Sequence, residues 1–344
     1  MMNTSVSENK QLNVPKNFIK VLILLIILLG ICVLASLAFG SRTIGWTHLM
    51  DGLLHPDVHS HEANVVRQRI SRTIFSLMCG AALGVSGSLM QSVTRNPIAD
   101  PSILGVNTGA ALFVVCGISF LDISTANQYI WLALLGAIIT AIFVFGIGSM
   151  GSGGATPLKL VLAGAATSAA LSSLVIAIMI PRTNVMDQFR FWQVGSVGSG
   201  SWSSISTFIP FLIVGVLIAL FTAPALNAMA LGDEVATGLG VRTGMIRLVA
   251  AFAGILLCGA ATALAGPIGF IGLLATHVVR LVIGPDLRFV IPMSALSGAI
   301  ILTISDICGR LIGSPGELEV GIVTAFIGAP ILILLTMKAK MRTL

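Results

Sequence analysis

The sequence has very little charge for its length. Lysine, arginine, aspartate and glutamate make up only 9% of its 344 residues, whereas hydrophobic residues make up 56%. Soluble domains carry about 25% charged residues, because their whole surface faces water. Together with a mean hydropathy of +1.02, this shortage of charge excludes a soluble fold and indicates a chain that lies mostly in lipid.

Signatures of catalysis are also absent. The sequence has no HExxH and no GxSxG motif, so nothing suggests a metalloprotease or a serine hydrolase. The glycine-rich stretch from Gly151 to Lys159 lacks the Gly-Lys-Ser/Thr ending of a phosphate-binding loop, and Pro157 interrupts it. We therefore predict a chain that is not an enzyme and binds no cofactor, so that any ATP is hydrolysed by a separate ATPase chain.

Metal-ligating residue types are few. The five cysteines form no CxxC pair and all fall within apolar runs, which favours packing roles over disulfides or metal sites. One polar stretch contains His55, His59 and His61 around Asp57. Such a set is compatible with a zinc or iron site, and equally with a solvated loop whose rings never converge. The sequence leaves both readings open.

Long apolar runs dominate the chain. A bilayer core about 30 Å thick needs about 20 apolar residues per helical crossing. Because these runs are continuous rather than alternating, they predict helices and not barrel strands. We predict an all-α integral membrane protein with about ten transmembrane helices. The predicted spans are Phe18–Gly40, Ser71–Val93, Ser102–Leu121, Tyr129–Gly148, Leu158–Ile180, Ser204–Ala223, Ile246–Ala265, Ile268–Ile283, Phe289–Gly309 and Glu319–Met337.

The distribution of positive charge predicts the orientation. With ten crossings and the N-terminus inside, twelve of the 19 lysines and arginines fall on the inner side, where positive loops are retained. We expect a multi-pass protein of a prokaryotic plasma membrane with both termini cytoplasmic: a tail over 1–17, one permease domain over 18–337 and a tail over 338–344. The net charge of +6 is then a topology signal and no evidence for nucleic acid.

Two predicted cytoplasmic loops stand out. The stretch from Arg95 to Pro101 is punctuated by two prolines, each of which disfavours helix in the residue before it. The segment 228–245 predicts a short helix that begins after Gly232 with two acidic residues and ends near Gly238 and Gly240. Such a non-spanning helix is either a knob for a partner protein or an ordinary capped loop.

Several segments, taken together and in order, resemble the FecCD-type permease family of iron-siderophore, haem and cobalamin importers. They extend over roughly residues 65–335. The matching segments are Arg69 to Arg72, Asn96 to Pro101 with Leu104 to Val106, Leu162 to Gly164, Trp192 to Gly195, Leu231 to Ala236 with Leu239 to Val241, Ala265 to Leu273, His277 with Arg280, Asp306 to Arg310, and Pro315 to Gly321 with Gly328 to Pro330.

The resemblance implies the fold and the partners of a type II ABC importer permease. The expected assembly has two ten-helix permeases, identical or paralogous, two ABC ATPase subunits and an extracytoplasmic substrate-binding protein. By the motif match, Arg69, Arg72 and Arg310 receive acidic residues of that binding protein, in agreement with the bidentate pairing of arginine with carboxylates. The residues implied in ATPase coupling are Gly232, Asp233, Glu234, Ala236, Gly238, Leu239 and Gly240.

The cargo and the path are predicted less directly. An iron(III)-siderophore complex is the first choice of cargo, with haem or cobalamin as alternatives. An ion-coupled secondary transporter is the competing class, and the lack of acidic residues in the middle of the predicted spans disfavours it. The fifth span is the candidate for lining the path. It contributes four hydroxyl side chains, Thr167, Ser168, Ser172 and Ser173. Glu319, where the family has proline, is expected to lie near Arg310.

Overall fold

The computed structural model describes residues 17–40, 45, 50, 60–121, 123, 125–151 and 156–341. Over these ranges the chain is helical and contains no strand. The helices, numbered in chain order, are α1 Phe18–Ala38, α2 His61–Thr94, a 3₁₀ turn Pro101–Leu104, α3 Val106–Phe120, α4 Ala126–Gly148, α5 Pro157–Met179, α6 Thr183–Gln193, α7 Trp202–Met229, α8 Asp233–Gly238, α9 Thr243–Ala265, α10 Ile271–Ile283, α11 Leu287–Ile312 and α12 Val320–Met341.

The membrane-spanning helices divide into long and short ones. Within the described residues, seven are long and apolar enough to cross a membrane, namely α1, α2, α4, α5, α7, α9 and α11. Helices α3 and α10 and the apolar part of α12 are shorter. These ten helices coincide with the ten predicted spans, which confirms the prediction of an all-α membrane protein with about ten crossings.

Helix α2 lies at the centre of the bundle. It is buried along most of its length and packs against α1, α7, α9, α10 and α11. Glycines at its surface let neighbouring backbones come into contact: Gly80 faces Gly298, Gly84 faces Ser294 and Gly87 faces Gly272. Small residues serve this purpose in lipid, where no hydrophobic force drives helices together. Gly80 and Gly84 therefore allow α2 to pack closely against α11, and Gly87 allows it to pack closely against α10.

The structure differs from the sequence prediction at several places. Helix α2 begins at His61, ten residues before the predicted Ser71, because its first turns are too polar to register as a membrane span. The third span begins at Val106 and not at Ser102, since a 3₁₀ turn and Gly105 at φ 72° interrupt the α-helix. The predicted loop 181–203 contains α6, which is amphipathic, with Phe189 buried and Arg190 exposed.

The break between the seventh and eighth spans is real. Helix α9 ends at Ala265, and Gly266 continues the chain at φ 73°, a conformation that favours glycine. The Ala265 carbonyl, left without a helical partner, accepts a hydrogen bond of 2.7 Å from the Ser196 amide. Helix α10 then begins at Ile271, three residues after the predicted Ile268, and is correspondingly short.

Candidate functional site

The first turns of α2, the last turns of α11 and the loop after α11 bring together an arginine cluster. We define it as Arg69, Arg72, Asp306, Arg310 and Glu317. Asp306 Oδ1 lies 2.7 Å from Arg72 Nη2, and Asp306 Oδ2 lies 3.0 Å from Arg310 Nη2. The second terminal nitrogen of Arg72 lies 2.7 Å from a Glu317 oxygen. The structure therefore brings the three predicted docking arginines to one place, and adds two acids that neutralise part of their charge.

Two of these arginines are buried. Only 7% of Arg69 and 2% of Arg310 is exposed. Arg69 donates hydrogen bonds to the carbonyls of Leu37 (3.0 Å) and Ala38 (3.2 Å), and Arg310 donates to that of Ser36 (3.0 Å). These carbonyls belong to the last turn of α1, where they lack helical partners and where a cation is favourable. Both side chains thus fasten α1 to the bundle.

The burial of these arginines was not predicted from the sequence, which suggested only that they lie at the outer ends of the membrane helices, exposed to solvent. The prediction also placed the wrong acid beside Arg310: the neighbour is Asp306, four residues earlier on the same helix, and not Glu319. Glu319 instead lines a separate cavity of about 330 Å³ with Trp192 and three serines. The (i, i+4) spacing of Asp306 and Arg310 was the signal that indicated the pair.

A cavity of about 250 Å³ opens at the arginine cluster. Its walls are formed by the three arginines, Glu317, Val65, Gln68 and Gly198. Gln68 is exposed at the rim, whereas Arg72 lies deeper. With three arginines and the two acids Asp306 and Glu317, the cluster has a net charge of +1 (3 − 2), which favours an acidic group at the cavity.

The short helix α8 lies at the opposite end of the bundle, beyond the last turn of α7. It begins and ends where the sequence predicted, with Gly232 at φ 118° before it and Gly240 at φ 83° after it. Ala236 is buried against the bundle, whereas Leu231, Val235 and Leu239 are exposed. A non-spanning helix therefore presents apolar side chains away from the chain's own core.

The two loops that the sequence singled out meet at this end. The first carboxylate of α8, Asp233, forms ion pairs with Arg95 and with Arg247, the latter at 3.2 Å.

Two other aspartates in the loops have shifted pKa values. Burial raises the pKa of Asp100, and the hydrogen bond from the Ser102 amide partly offsets that shift. The pKa of Asp286 is lowered chiefly by the side-chain hydrogen bond from Arg288.

The hydroxyl residues predicted to line the path lie on α5, a peripheral helix. Thr167 is buried and Ser168 is partly buried, whereas Ser172 and Ser173 are exposed on the monomer. Helices α1 and α5 are equally peripheral, since 17% of the apolar window of each is buried. Their exposed faces differ, because that of α1 consists mainly of leucine and isoleucine, whereas that of α5 also includes alanine and serine.

Metal binding gains no support from the described residues, which contain no group of three or more His, Cys, Asp or Glu side chains placed to hold a metal ion. Of the histidines considered for such a site, His61 is the first residue of α2. His55 and His59 lie outside the described residues.

Comparisons with known proteins agree on one family. The model of the FecCD transport family matches residues 25–338. The ferric enterobactin transport system permease protein FepD of Escherichia coli (strain K12) is 38% identical over 338 residues, covering 98% of each chain. The Fe(3+)-citrate import system permease protein YfmD of Bacillus subtilis (strain 168) is 39% identical over 323 residues, covering 94% of this chain and 95% of its own.

A solved structure agrees as well. A metal-chelate type ABC transporter in an inward-facing conformation superposes with a TM-score of 0.80 at 26% identity, covering 93% of this chain and 99% of its own. The proteins that resemble this chain in sequence and in structure are thus membrane transport proteins. This protein belongs to the FecCD transport family of ABC permeases.

Proposed function

We propose that the chain forms the membrane path of an ABC importer for an iron(III)-siderophore complex, driven by two partner ATPases and supplied by an extracytoplasmic binding protein. The observation that carries the proposal is that one helical bundle has a candidate protein-binding surface at each of its two ends. One is the exposed apolar helix α8, and the other is the arginine-lined cavity. The iron chelates named for FepD and YfmD support this class of cargo.

Helix α8 is the proposed contact with an ATPase. Val235 is 49% exposed and Leu239 is 65% exposed, although the same end of the bundle carries Arg95, Asp233 and Arg247. Exposed apolar side chains on a short rigid helix favour insertion into a groove of another protein. With positive loops inside, this end faces the cytoplasm, where ATP is available.

The arginine-lined cavity is the proposed contact with the binding protein. Its cationic wall matches an acidic side chain presented from outside the cell, and complementary charge speeds and orients such encounters. Arg72 is the arginine best placed for this role, because 14% of its side chain is exposed, against 2% for Arg310. The buried Arg69 and Arg310 contribute positive electrostatic potential to the cavity.

A second permease is the proposed neighbour of α5. Exposed serines and alanines on a membrane helix are poorly suited to lipid chains and well suited to close helix packing or to a polar path. The exposed Ala169, Ala170, Ser172 and Ser173 therefore favour a dimer whose central path runs beside α5.

Reconstitution tests the proposed function directly. The complex that co-purifies with this chain would be placed in lipid vesicles with ATP inside, and uptake of ferric enterobactin, ferric citrate, haem and cobalamin would be compared. We expect ATP-dependent uptake of an iron(III) chelate and none with a non-hydrolysable ATP analogue. Uptake that follows an ion gradient without ATP would favour the secondary-transporter alternative, and selective uptake of haem or cobalamin would change the cargo.

A rim substitution tests docking without disturbing the buried ion pairs. Gln68→Glu adds a negative charge to the wall of the cavity, and we expect it to weaken binding of the substrate-binding protein by about 3- to 10-fold, the effect of like charges at an interface. Gln68→Lys is the matched control and is expected to retain or strengthen binding. Surface plasmon resonance on the purified transporter measures both. Equal affinities for the two variants would contradict docking at this cavity.

A further inference from the structure

We infer that Asp233 is a positioning residue that ties α8 to the membrane helices, chiefly through Arg95 at the end of α2. The inference rests on the proposed function, because it concerns how a movement of α8 reaches the rest of the bundle. The sequence alone suggested only that an acid suits the start of a helix. The contacts of Asp233 indicate a more specific role.

One carboxylate joins three elements. Asp233 is the first residue of α8, and its Oδ1 accepts a short hydrogen bond from Arg95 Nη2. Arg247 of α9 donates to the same carboxylate, at 3.3 Å from Oδ1 and 3.2 Å from Oδ2. Because Arg95 and Arg247 approach from different helices, a displacement of Asp233 acts on α2 and α9 together.

The backbone of Arg95 supports a role for its side chain. The residue ends α2 at φ 50° and ψ 32°, a conformation in which glycine is the usual residue. Its guanidinium also donates to the carbonyl of Met229, the last residue of α7, at 2.8 Å. The backbone conformation of Arg95 is unfavourable for arginine, and the contacts of its side chain hold the residue there. These contacts join the ends of α2 and α7 to the start of α8.

Helix α2 extends this link across the membrane. It is continuous from His61 to Thr94 and mostly buried. Arg72 and Arg95 are 23 residues apart, which corresponds to roughly 35 Å along a helix. The same rigid helix is thus bound by ion pairs to Asp306 and Glu317 at one end and to Asp233 at the other. Rigid elements with defined contacts at both ends are suited to transmit movement.

The neighbouring acid provides a matched comparison. Glu234 also lies in the first turn of α8, is exposed, and forms no ion pair with any residue that the structure describes. If a negative charge near the start of α8 were all that mattered, Asp233 and Glu234 would contribute alike. Only Asp233 contacts the other helices, so the two acids are expected to differ when each is neutralised.

The test compares variants of the complete complex in vesicles. Asp233→Asn is expected to lower the number of chelate molecules transported per ATP hydrolysed by roughly fivefold or more, the range of ordinary coupling energies. Asp233→Glu is expected to restore most of that ratio, and Glu234→Gln to lower it clearly less than Asp233→Asn does. Arg95→Gly, which suits the backbone conformation, removes only the contacts of the Arg95 side chain and is expected to reproduce the defect.

The outcomes separate the inference from the proposed function. An equal transport ratio in Asp233→Asn and Glu234→Gln, with an ATPase still bound and uptake still ATP-dependent, overturns the role of Asp233 alone. A wild-type complex without an ATPase, or with uptake independent of ATP, overturns both. If Asp233→Asn fails to assemble, Arg95→Gly and Asp233→Glu decide the question, and a wild-type ratio in Arg95→Gly contradicts the inference.

Discussion

Replacing Gly84 with leucine is expected to prevent formation of the folded bundle. A Cβ atom at Gly84 meets the backbone carbonyl of Ser294 on α11, and backbone atoms cannot turn aside as a side chain can. Overpacking a tight core costs about 1–3 kcal/mol, and occasionally more, even where neighbours can adjust. Because α2 packs against six other α-helices among the described residues, its separation from α11 disturbs the whole structure.

The measurement is the yield of monodisperse protein in detergent, together with its melting temperature. Gly30→Leu is the matched control, because Gly30 also lies within a membrane helix but a Cβ there has no atom within 4 Å. We expect Gly30→Leu to behave as wild type and Gly84→Leu to aggregate or to melt far lower. Similar melting temperatures for the two variants would contradict the close α2–α11 contact.

Replacing Asp306 with asparagine is expected to be strongly destabilising. Only 3% of the Asp306 side chain is exposed, and its carboxylate is shared by Arg72 and by the buried Arg310. Removing one partner of a buried ion pair costs about 3–5 kcal/mol, because it leaves a charge buried without compensation. Arg310 also holds the last turn of α1, so loosening of α1 is expected to accompany the loss.

Glu317→Gln offers a control on the same arginine. Glu317 lies 2.7 Å from Arg72, as Asp306 does, but 39% of its side chain is exposed. Exposed ion pairs contribute about 0–1 kcal/mol, so this variant is expected to unfold close to wild type. Thermal or denaturant unfolding in detergent measures both. Equal stability of Asp306→Asn and Glu317→Gln would contradict the structural role of the buried Asp306 carboxylate.

The burial of Arg69 and Arg310 affects how transport measurements on their variants are interpreted. Two of the three arginines predicted to dock a binding protein also hold the fold together, so substituting them lowers uptake whether or not docking occurs. Loss of transport in Arg69 or Arg310 variants is therefore ambiguous. The rim residue Gln68 and the half-exposed Glu317 allow a cleaner separation of the two roles.

The local features of this protein followed from its sequence. The shortage of charge and the length of the apolar runs predicted a helical membrane protein with about ten crossings. Glycine and acidic residues marked the ends of α8 correctly, because the start and end of a short helix depend on neighbouring residues. The polar first turns of α2 and the amphipathic α6 were missed, since hydropathy alone does not detect helices that leave the bilayer.

The surroundings of the charged residues were decided only by the tertiary structure. Arg310 is buried because the last turn of α1, more than 270 positions away in the sequence, presents its carbonyls to the guanidinium. Asp233 meets Arg95 across 138 positions. The energy of a charge depends on the atoms packed around it, and no local pattern of residues specifies which helix end will supply them.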